Sequence, residues 1–149
     1  LISSGKIHQA NEGCACTMNS ILKQFIKHLT VEENEVVLLD MEAGVEHFGR
    51  GVDNSVDLIL MIVDPSFESL KLTKKIQQLG ESIGKTVFFV LNKVNGQILP
   101  TMLESIDDQS KVLAVISEDT EIARKGLLGN ELMMEIPEIH TLARKILKQ

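Results

Sequence analysis

The chain has 149 residues, 44% of them hydrophobic and 24% charged, which is enough to bury the core of one globular domain and does not predict disorder. Its formal net charge of -6 gives no electrostatic reason to bind nucleic acid or an anionic membrane. The apolar runs have the length of strands, no secretory signal is visible, and the two cysteines are too close for a disulfide framework. We therefore expect a cytoplasmic protein.

A small-residue loop with Cys14 and Cys16 precedes the first amphipathic pattern. Apolar residues then recur at helical spacing from Met18 to Leu29, and Thr17 is the predicted N-cap. The unpaired amides at a helix amino terminus favour thiolate over thiol, which makes the pair a candidate metal site. Two copies of the chain across a twofold axis would supply four thiolates, suited to Zn2+ or Ni2+. The alternative is that the cysteines are two small hydrophobic residues.

Residues 36–39 (VVLL) are a short apolar run that ends at Asp40. The run predicts a strand buried on both faces of a parallel sheet, with Asp40 at the carboxyl edge, where such sheets bind ligands. Gly44 completes the pattern Asp-x-x-Ala-Gly, which P-loop nucleotide hydrolases place here. In that pattern the Asp holds Mg2+ and the Gly amide approaches a terminal phosphate. The alternative for Asp40 is a cap of the following turn.

The most specific pattern follows directly, since residues 42–51 read EAGVEHFGRG. This run resembles the switch region of the nickel-insertion accessory ATPases that mature carbon-monoxide dehydrogenase, in the MinD-like branch of P-loop ATPases. The family also has a Gly-Cys-x-Cys loop that binds metal at the dimer interface, and the loop at Cys14 and Cys16 is similar to it. The resemblance implies a switch that reports the nucleotide state. Its matching residues are Glu42, Glu46, His47 and Arg50.

Another buried strand is predicted at residues 57–63 (DLILMIV). It ends at Asp64 and Pro65, because proline cannot donate to a ladder. Ser66 is the predicted cap of the helix that follows, and Gly84 is predicted to close that helix.

Residues 86–91 (TVFFVL) predict the next strand, which delivers Asn92 and Lys93 at its carboxyl end. Asn-Lys after a buried strand is the base-recognition position of many P-loop nucleotide hydrolases, since an amide can both donate to and accept from a purine edge. GTPases place Asp two residues after the Lys, and Asn95 stands there in this chain. The pattern favours adenine over guanine. An ordinary turn is the alternative reading of these residues.

Residues 111–116 (KVLAVI) predict a fourth strand, after a short helix that contains Pro100 near its first turn. Ser117 and Glu118 follow the strand at the same edge of the sheet. In the family that the chain resembles, the backbone of this loop closes over the base. Asp119 is the predicted cap of the next helix.

A helix to about Gly126 and a final helix from Pro137 complete the predicted elements. The residues predicted to face inward in the last helix are Ile139, Leu142, Ala143, Ile146 and Leu147. The alternation of strands and helices predicts an α/β fold, one doubly wound and mostly parallel sheet with helices on both faces. We expect a single domain over residues 1–149.

The chain contains no Gly-rich loop that ends in Lys-Ser or Lys-Thr. The resemblance therefore implies a MinD/ParA-like P-loop ATPase domain that is incomplete at its amino terminus, with the phosphate-binding strand and loop missing. We expect the intact protein to be an ATPase that uses ATP and Mg2+, and the 149-residue chain alone to be inactive. By the resemblance, the intact protein is a homodimer that inserts nickel into carbon-monoxide dehydrogenase.

Two rival functions remain open at this stage. One is a non-enzymatic flavodoxin-like receiver with Asp40 as phosphoacceptor, although a receiver needs an acidic pair ending its first strand and residues 1–13 contain only Glu12. The other is a relic that dimerises or binds metal without ATPase activity.

Overall fold

The structure is a computed structural model that describes residues 24–41 and 56–148. The chain divides into two compact units, Leu1–Asp57 and Leu58–Gln149. Among the described residues, none of the helices combines the length and the apolar character that crossing a bilayer requires.

In the first unit, residues 24–28 are helical, which confirms the end of the helix predicted to run to Leu29. Its predicted start at Thr17 lies outside the described residues. The buried strand predicted at residues 36–39 is wrong, because residues 35–41 have no regular secondary structure and the side chain of Leu38 is 84% exposed. A strand forms only when a neighbour supplies ladder partners and a second layer covers it. Four apolar residues do not determine either condition.

The second unit contains a parallel sheet of three strands, β1 (Leu58–Val63), β2 (Thr86–Val94) and β3 (Val112–Ser117), in the order β1-β2-β3. The pairing of β1 with β2 is regular, from Leu58 opposite Thr86 to Val63 opposite Leu91. The pairing of β2 with β3 contains register shifts and ends with Val94 opposite Ser117. The predicted strands are confirmed here, although β2 extends through Asn92 and Lys93 to Val94.

The helix α1 (Phe67–Ser82) begins and ends at signals that the sequence carries. The hydroxyl of Ser66 accepts a hydrogen bond from the amide of Ser69 at 3.2 Å, so Ser66 is the N-cap, as predicted. Gly84 ends the helix with φ +68, a left-handed conformation that costs glycine little. The amide of Lys85 then donates to the carbonyl of Gly80 at 2.9 Å, which satisfies a carbonyl of the last turn.

Three further helices complete the unit: α2 (Leu99–Glu104), α3 (Thr120–Leu128) and α4 (Pro137–Ile146), with a 3-10 turn at Gln109–Lys111. Proline lies in the first turn of both α2 and α4, where it displaces no helical hydrogen bond. These starts confirm the predictions at Pro100 and Pro137.

Helix α1 packs against β1 and β2 on one face of the sheet. Side chains alternate along β2, so Val87, Phe89 and Leu91 share this face, where all three are buried. The closest approach is at Gly80 of α1, where an added Cβ would overlap the side chain of Val87. Each fully buried side chain of this size contributes about 2 kcal/mol.

Helix α4 packs against the opposite face. Leu142 forms a buried cluster with Val90 and Leu113, and Ile146 packs against it. The predicted α/β fold with a parallel sheet and helices on both faces is confirmed. Three of the inward positions predicted for α4 are wrong, because Ile139, Ala143 and Leu147 are exposed. Helical periodicity correctly predicted the two side chains that pack against the sheet, Leu142 and Ile146, but it predicted an apolar face wider than the part that the sheet covers.

The close approach of α1 to the sheet predicts that replacing glycine by alanine has opposite effects on stability at two helical positions, 80 and 126. In Gly80→Ala the new Cβ would overlap Val87 and lie 3.1 Å from the carbonyl oxygen of Lys85, so we expect a net destabilisation of about 1 kcal/mol or more. Gly126→Ala adds a methyl group in α3 with no neighbour within 4 Å, and we expect it to be neutral or to stabilise by up to about 1 kcal/mol. Urea denaturation followed by circular dichroism measures both. A Gly80→Ala variant as stable as the Gly126→Ala variant would contradict the packing.

Candidate functional site

The carboxyl ends of the three strands form one edge of the sheet, and polar residues follow each strand there. Asp64 comes directly after β1, Asn92 and Lys93 lie near the carboxyl end of β2, and Ser117 ends β3. Apolar side chains are buried on the two faces, so this edge is where the unit presents its polar groups. Open parallel sheets bind their ligands at this edge.

The carboxylate of Asp64 contacts both predicted base-recognition residues. Its Oδ1 accepts a hydrogen bond from Nδ2 of Asn92 at 2.9 Å, and its Oδ2 lies 2.6 Å from Nζ of Lys93. A carboxylate can only accept, so the amide must present its nitrogen to Asp64 and its oxygen elsewhere. Asp64 therefore fixes which way the amide of Asn92 points.

The backbone of Asp64 is itself held by the start of α1. Its carbonyl accepts from the amide of Ser66 at 2.7 Å, and its amide donates to the hydroxyl of Ser69 at 3.1 Å. Pro65 between them stops the strand, so the chain turns directly into the helix. The carboxylate thus projects from a turn that is tied down on both sides.

Lys93 has an unusual backbone conformation with φ 55, in the left-handed region that residues other than glycine adopt at a cost of about 1–2 kcal/mol. Its side chain is exposed and paired with Asp64. Strained backbone of this kind clusters at functional sites, where surrounding contacts maintain it. Lys93 falls at the register shift between Leu91 and Val94 in the pairing of β2 with β3, and its side-chain contact at this point is the ion pair with Asp64.

The environment of Asp64 favours its charged form. Partial burial raises the pKa of this carboxyl, but the hydrogen bonds from Lys93 and Asn92, together with the lysine charge, outweigh the burial and lower the pKa below its ordinary value of 3.8. Asp64 is therefore ionised at neutral pH and remains an acceptor for both partners.

The loop after β3 is tied to the end of β2. Val94 pairs with Ser117, and the amide of Glu118 donates to the carbonyl of Val94 at 2.9 Å. The side chain of Asp119 accepts from the amides of Glu121 and Ile122 in the first turn of α3, which confirms its predicted role as a cap. Ser117 and Glu118 are exposed and lie at the same edge as Asn92.

Asn95 occupies the position at which GTPases carry a guanine-binding aspartate, and its side chain has a local role. Its Oδ1 accepts from the amides of Gln97 and Ile98 at 3.1 and 3.2 Å, which closes the turn that leads into α2.

The remaining predicted site residues precede the second unit. Asp40 is exposed and follows a segment without regular structure. The predicted phosphate-sensing, switch and metal residues lie outside the described residues: Gly44, Glu42, Glu46, His47, Arg50, Cys14 and Cys16. Within residues 24–41 and 56–148, His, Cys, Asp and Glu side chains do not gather in groups of three or more that could hold a metal ion.

Asp64 is the residue of this cluster that the sequence interpretation missed. It was read only as the end of a strand. Its position in the sequence could have indicated it. Asp64 follows a buried strand and Asn92 lies at the end of the next one, and neighbouring parallel strands end at the same edge of the sheet. The pairing of Val63 with Leu91 brings the two residues that follow, Asp64 and Asn92, side by side.

These features define an α/β protein with a polar cluster at the carboxyl edge of a parallel sheet, an arrangement consistent with P-loop nucleotide hydrolases. The chain is 45% identical over 148 residues to the uncharacterized ATP-binding protein MJ0084 of Methanocaldococcus jannaschii, a match that covers 99% of the chain. It is 33% identical over 138 residues to MJ0823 of the same organism, also named an ATP-binding protein.

The carbon monoxide dehydrogenase accessory protein CooC of Rhodospirillum rubrum is 32% identical over 130 residues, which cover 87% of the chain. The chain spans 59% of the length of MJ0084, 54% of MJ0823 and 49% of CooC. No protein-family model matches the sequence. The similarity thus extends over nearly all of this chain but only about half of each relative.

The lowered pKa of Asp64 predicts a pH-dependent contribution to stability. Because the pKa is lower in the folded than in the unfolded state, the contact stabilises the fold above about pH 3.8 and loses this effect as the pH falls through the lowered value. We expect Asp64→Asn to reduce the free energy of unfolding at pH 7 by up to about 1 kcal/mol, the range for partly exposed ion pairs.

The measurement is urea denaturation of both proteins between pH 7 and pH 3, in which the difference should shrink as Asp64 becomes protonated. The control is Asp107→Asn, which removes a more exposed carboxylate 3.2 Å from Lys74 and should have a smaller effect at pH 7. A wild-type-to-variant difference that stays constant over this range would contradict the prediction.

Proposed function

We propose that these 149 residues belong to an ATP-dependent accessory protein that delivers nickel to carbon-monoxide dehydrogenase or a related nickel enzyme. The observation that carries the proposal is the Asp64, Asn92 and Lys93 cluster at the carboxyl edge of the sheet. It occurs in a chain similar, over 87 to 99% of its length, to two proteins named ATP-binding and to CooC. The cluster and the similarity are independent kinds of support.

Asn92 is the proposed contact of the adenine base. Its amide carries a donor and an acceptor, which suits the adjacent donor and acceptor of adenine. Lys93 supports the same turn through its ion pair, and Ser117 and Glu118 would lie beside the base. Partial burial raises the pKa of the Asp64 carboxyl, but its hydrogen bonds with Lys93 and Asn92 lower it overall, so the carboxylate stays ionised and paired with Lys93 at neutral pH.

Asp40 and Gly44 are the proposed residues at the phosphate end of the nucleotide. The exposed carboxylate of Asp40 has the oxygen chemistry that Mg2+ prefers, and this residue would hold the ion and position the attacking water. Bound Mg2+ would neutralise part of the negative charge of the phosphates. The Gly44 amide would contact the terminal phosphate, where a side chain would obstruct the approach.

The proposed switch couples the nucleotide to the other functions of the protein. Its residues are Glu42, Glu46, His47 and Arg50. Coupling requires two arrangements of this loop that differ in affinity for ATP and ADP. Glycines stand at positions 44, 49 and 51, and this residue type would permit both arrangements because it has no side chain to restrict the backbone.

Cys14 and Cys16 are the proposed metal ligands of a homodimer. Two copies would supply four thiolates, and the nickel held there would be the cargo rather than a resident cofactor. Zn2+ has the same preference for thiolates, so ligand chemistry alone permits either ion. The client enzyme would receive the metal when hydrolysis reshapes the dimer.

The competing function is a metal-binding dimerisation relic without nucleotide binding. The feature that this function would use is the pair Cys14 and Cys16, since thiolates bind soft metals whether or not a nucleotide is present. Metal titration and ATP titration in parallel separate the two, because the relic binds metal and not ATP. A different experiment tests the receiver alternative, because a receiver would be phosphorylated on Asp40 by acetyl phosphate.

The adenine contact predicts that Asn92→Ala weakens ATP binding about tenfold, the usual cost of losing a bidentate contact to a base edge. The measurement is isothermal titration of ATP with Mg2+ into the product of the complete reading frame that contains these residues. Asn130→Ala is the matched control, because Asn130 is an exposed residue just beyond α3 and should leave the affinity unchanged. Unaltered affinity in Asn92→Ala would remove Asn92 from the site, and no binding by the wild type would remove the nucleotide proposal.

The metal site predicts that Cys14→Ser combined with Cys16→Ser abolishes metal-dependent dimerisation, because serine hydroxyls do not replace thiolates as ligands for soft metals. Sedimentation velocity with and without Ni2+ or Zn2+ measures the change. The control is each single variant, which leaves two thiolates in a dimer and should weaken rather than abolish the effect. Metal-dependent dimerisation that survives in the double variant would exclude these cysteines as ligands.

A further inference from the structure

Asp64 has no part in the proposed nucleotide contacts, yet it controls the residue that makes them. Among the described residues, its carboxylate contacts the side chains of both Asn92 and Lys93, which follow one another on the neighbouring strand. The contact with Asn92 is 2.9 Å long and joins residues 28 positions apart in the sequence. The fold therefore brings a fixed acceptor to an amide that could otherwise rotate.

The orientation of an asparagine amide decides which purine it can read. An amide that rotates by half a turn exchanges its donor and its acceptor, and solvent allows both states. The carboxylate of Asp64 accepts from Nδ2 and would repel Oδ1, so only one state remains. In that state the amide still carries the oxygen Oδ1 and a second N–H.

Adenine and guanine differ at the edge that this amide would meet. Adenine offers the N6 amino group as donor and N7 as acceptor, whereas guanine offers two acceptors, O6 and N7. An amide locked with its oxygen towards the exocyclic group accepts from N6 of adenine and repels O6 of guanine. Rotation of the amide would remove this repulsion, and Asp64 prevents the rotation.

The position of Asp64 is rigid enough for this role. Its amide and carbonyl are bonded to Ser69 and Ser66 at the start of α1, and its second oxygen is held by Lys93 at 2.6 Å. The ion pair also occupies the side of the carboxylate that Asn92 does not use. A movement of the acceptor would break several contacts at once.

We propose that Asp64 is the specificity-determining residue of the nucleotide site, which selects adenine over guanine by locking the orientation of the Asn92 amide. This inference rests on the proposed nucleotide-binding function. Asp64 is a positioning residue, since it acts through Asn92 and does not touch the base. The expected signature is a change in the ratio of ATP to GTP affinity rather than a general loss of binding.

The experiment compares ATP and GTP binding by isothermal titration in three variants and the wild type, with Mg2+ present, in the product of the complete reading frame. We expect the wild type to prefer ATP by about tenfold or more, the discrimination typical of one bidentate base contact. Asp64→Asn keeps the shape of the side chain, but the new amide and the amide of Asn92 can both rotate. Asp64→Ala removes the acceptor altogether. Both should bring the two affinities within about twofold of each other.

Asp107→Asn is the control, because it removes an exposed aspartate that is paired with a lysine and lies outside the cluster. It should keep the wild-type ratio. Circular dichroism of each variant identifies any that fails to fold. If one of the two Asp64 variants does not fold, the other still tests the inference. As a second measurement, the Asn92 side-chain amide protons, observed by NMR, should lose a downfield shift in Asp64→Ala.

The outcomes separate the inference from the proposed function. A ratio that both Asp64 variants keep, with ATP still bound, overturns the role of Asp64 and leaves nucleotide binding intact. Equal affinities in the wild type overturn the inference in the same way. Binding of neither nucleotide overturns both proposals, and an unchanged amide shift in Asp64→Ala excludes the hydrogen bond in solution.

Discussion

The contact of the Asp64 carboxylate with Asn92 and Lys93 joins the ends of two parallel strands, and the candidate site depends on it. The contact exists because β1 and β2 pair in register up to Val63 and Leu91, which places the next residues of the two strands side by side. A slip of one residue would move Asn92 to the other face of the sheet, since side chains alternate along a strand. The register of β1 and β2 therefore determines the geometry of the candidate site.

The core enforces that register. Val87, Phe89 and Leu91 are buried under α1 on one face, and Val90 is buried under α4 on the other. Apolar side chains occupy both faces along the middle of β2. A one-residue shift of the strand would move each of them to the opposite face, where the neighbouring side chains have a different shape. Polar residues are tolerated only past the covered segment. The run of buried side chains along β2 stops at Asn92, although Val94 is buried again, and the polar groups of the unit collect at this end of the strand.

The proposed functions divide along the chain. Base recognition lies within Leu58–Gln149, whereas the proposed metal, phosphate and switch residues all precede residue 56. In the proposal, the switch is in equilibrium between two arrangements, which ATP and ADP would favour differently. A ligand shifts such an equilibrium only through different affinity for the two states. In this scheme Asp64 acts at the base, where the nucleotide is chosen, and the switch acts at the phosphates, where its state is read.

Local signals in the sequence determined the elements of the second unit. The apolar runs predicted all three of its strands, and Ser66, Gly84, Asp119 and Pro137 predicted where its helices begin or end, because caps and turns depend on neighbouring residues. The same reasoning failed for residues 36–39 and for Ile139, Ala143 and Leu147, because burial depends on the layers that cover a segment.

At the candidate site, the sequence indicated Asn92, Lys93, Ser117 and Glu118 through their place after buried strands. It did not indicate Asp64, whose partners are 28 and 29 residues away. Nor did it indicate the left-handed backbone of Lys93, which lies at the register shift between Leu91 and Val94 where β2 pairs with β3. Residue type and spacing thus determined which groups stand at the edge of the sheet, and only the tertiary structure decided which of them touch, because hydrogen bonds between strands depend on register rather than on separation in sequence.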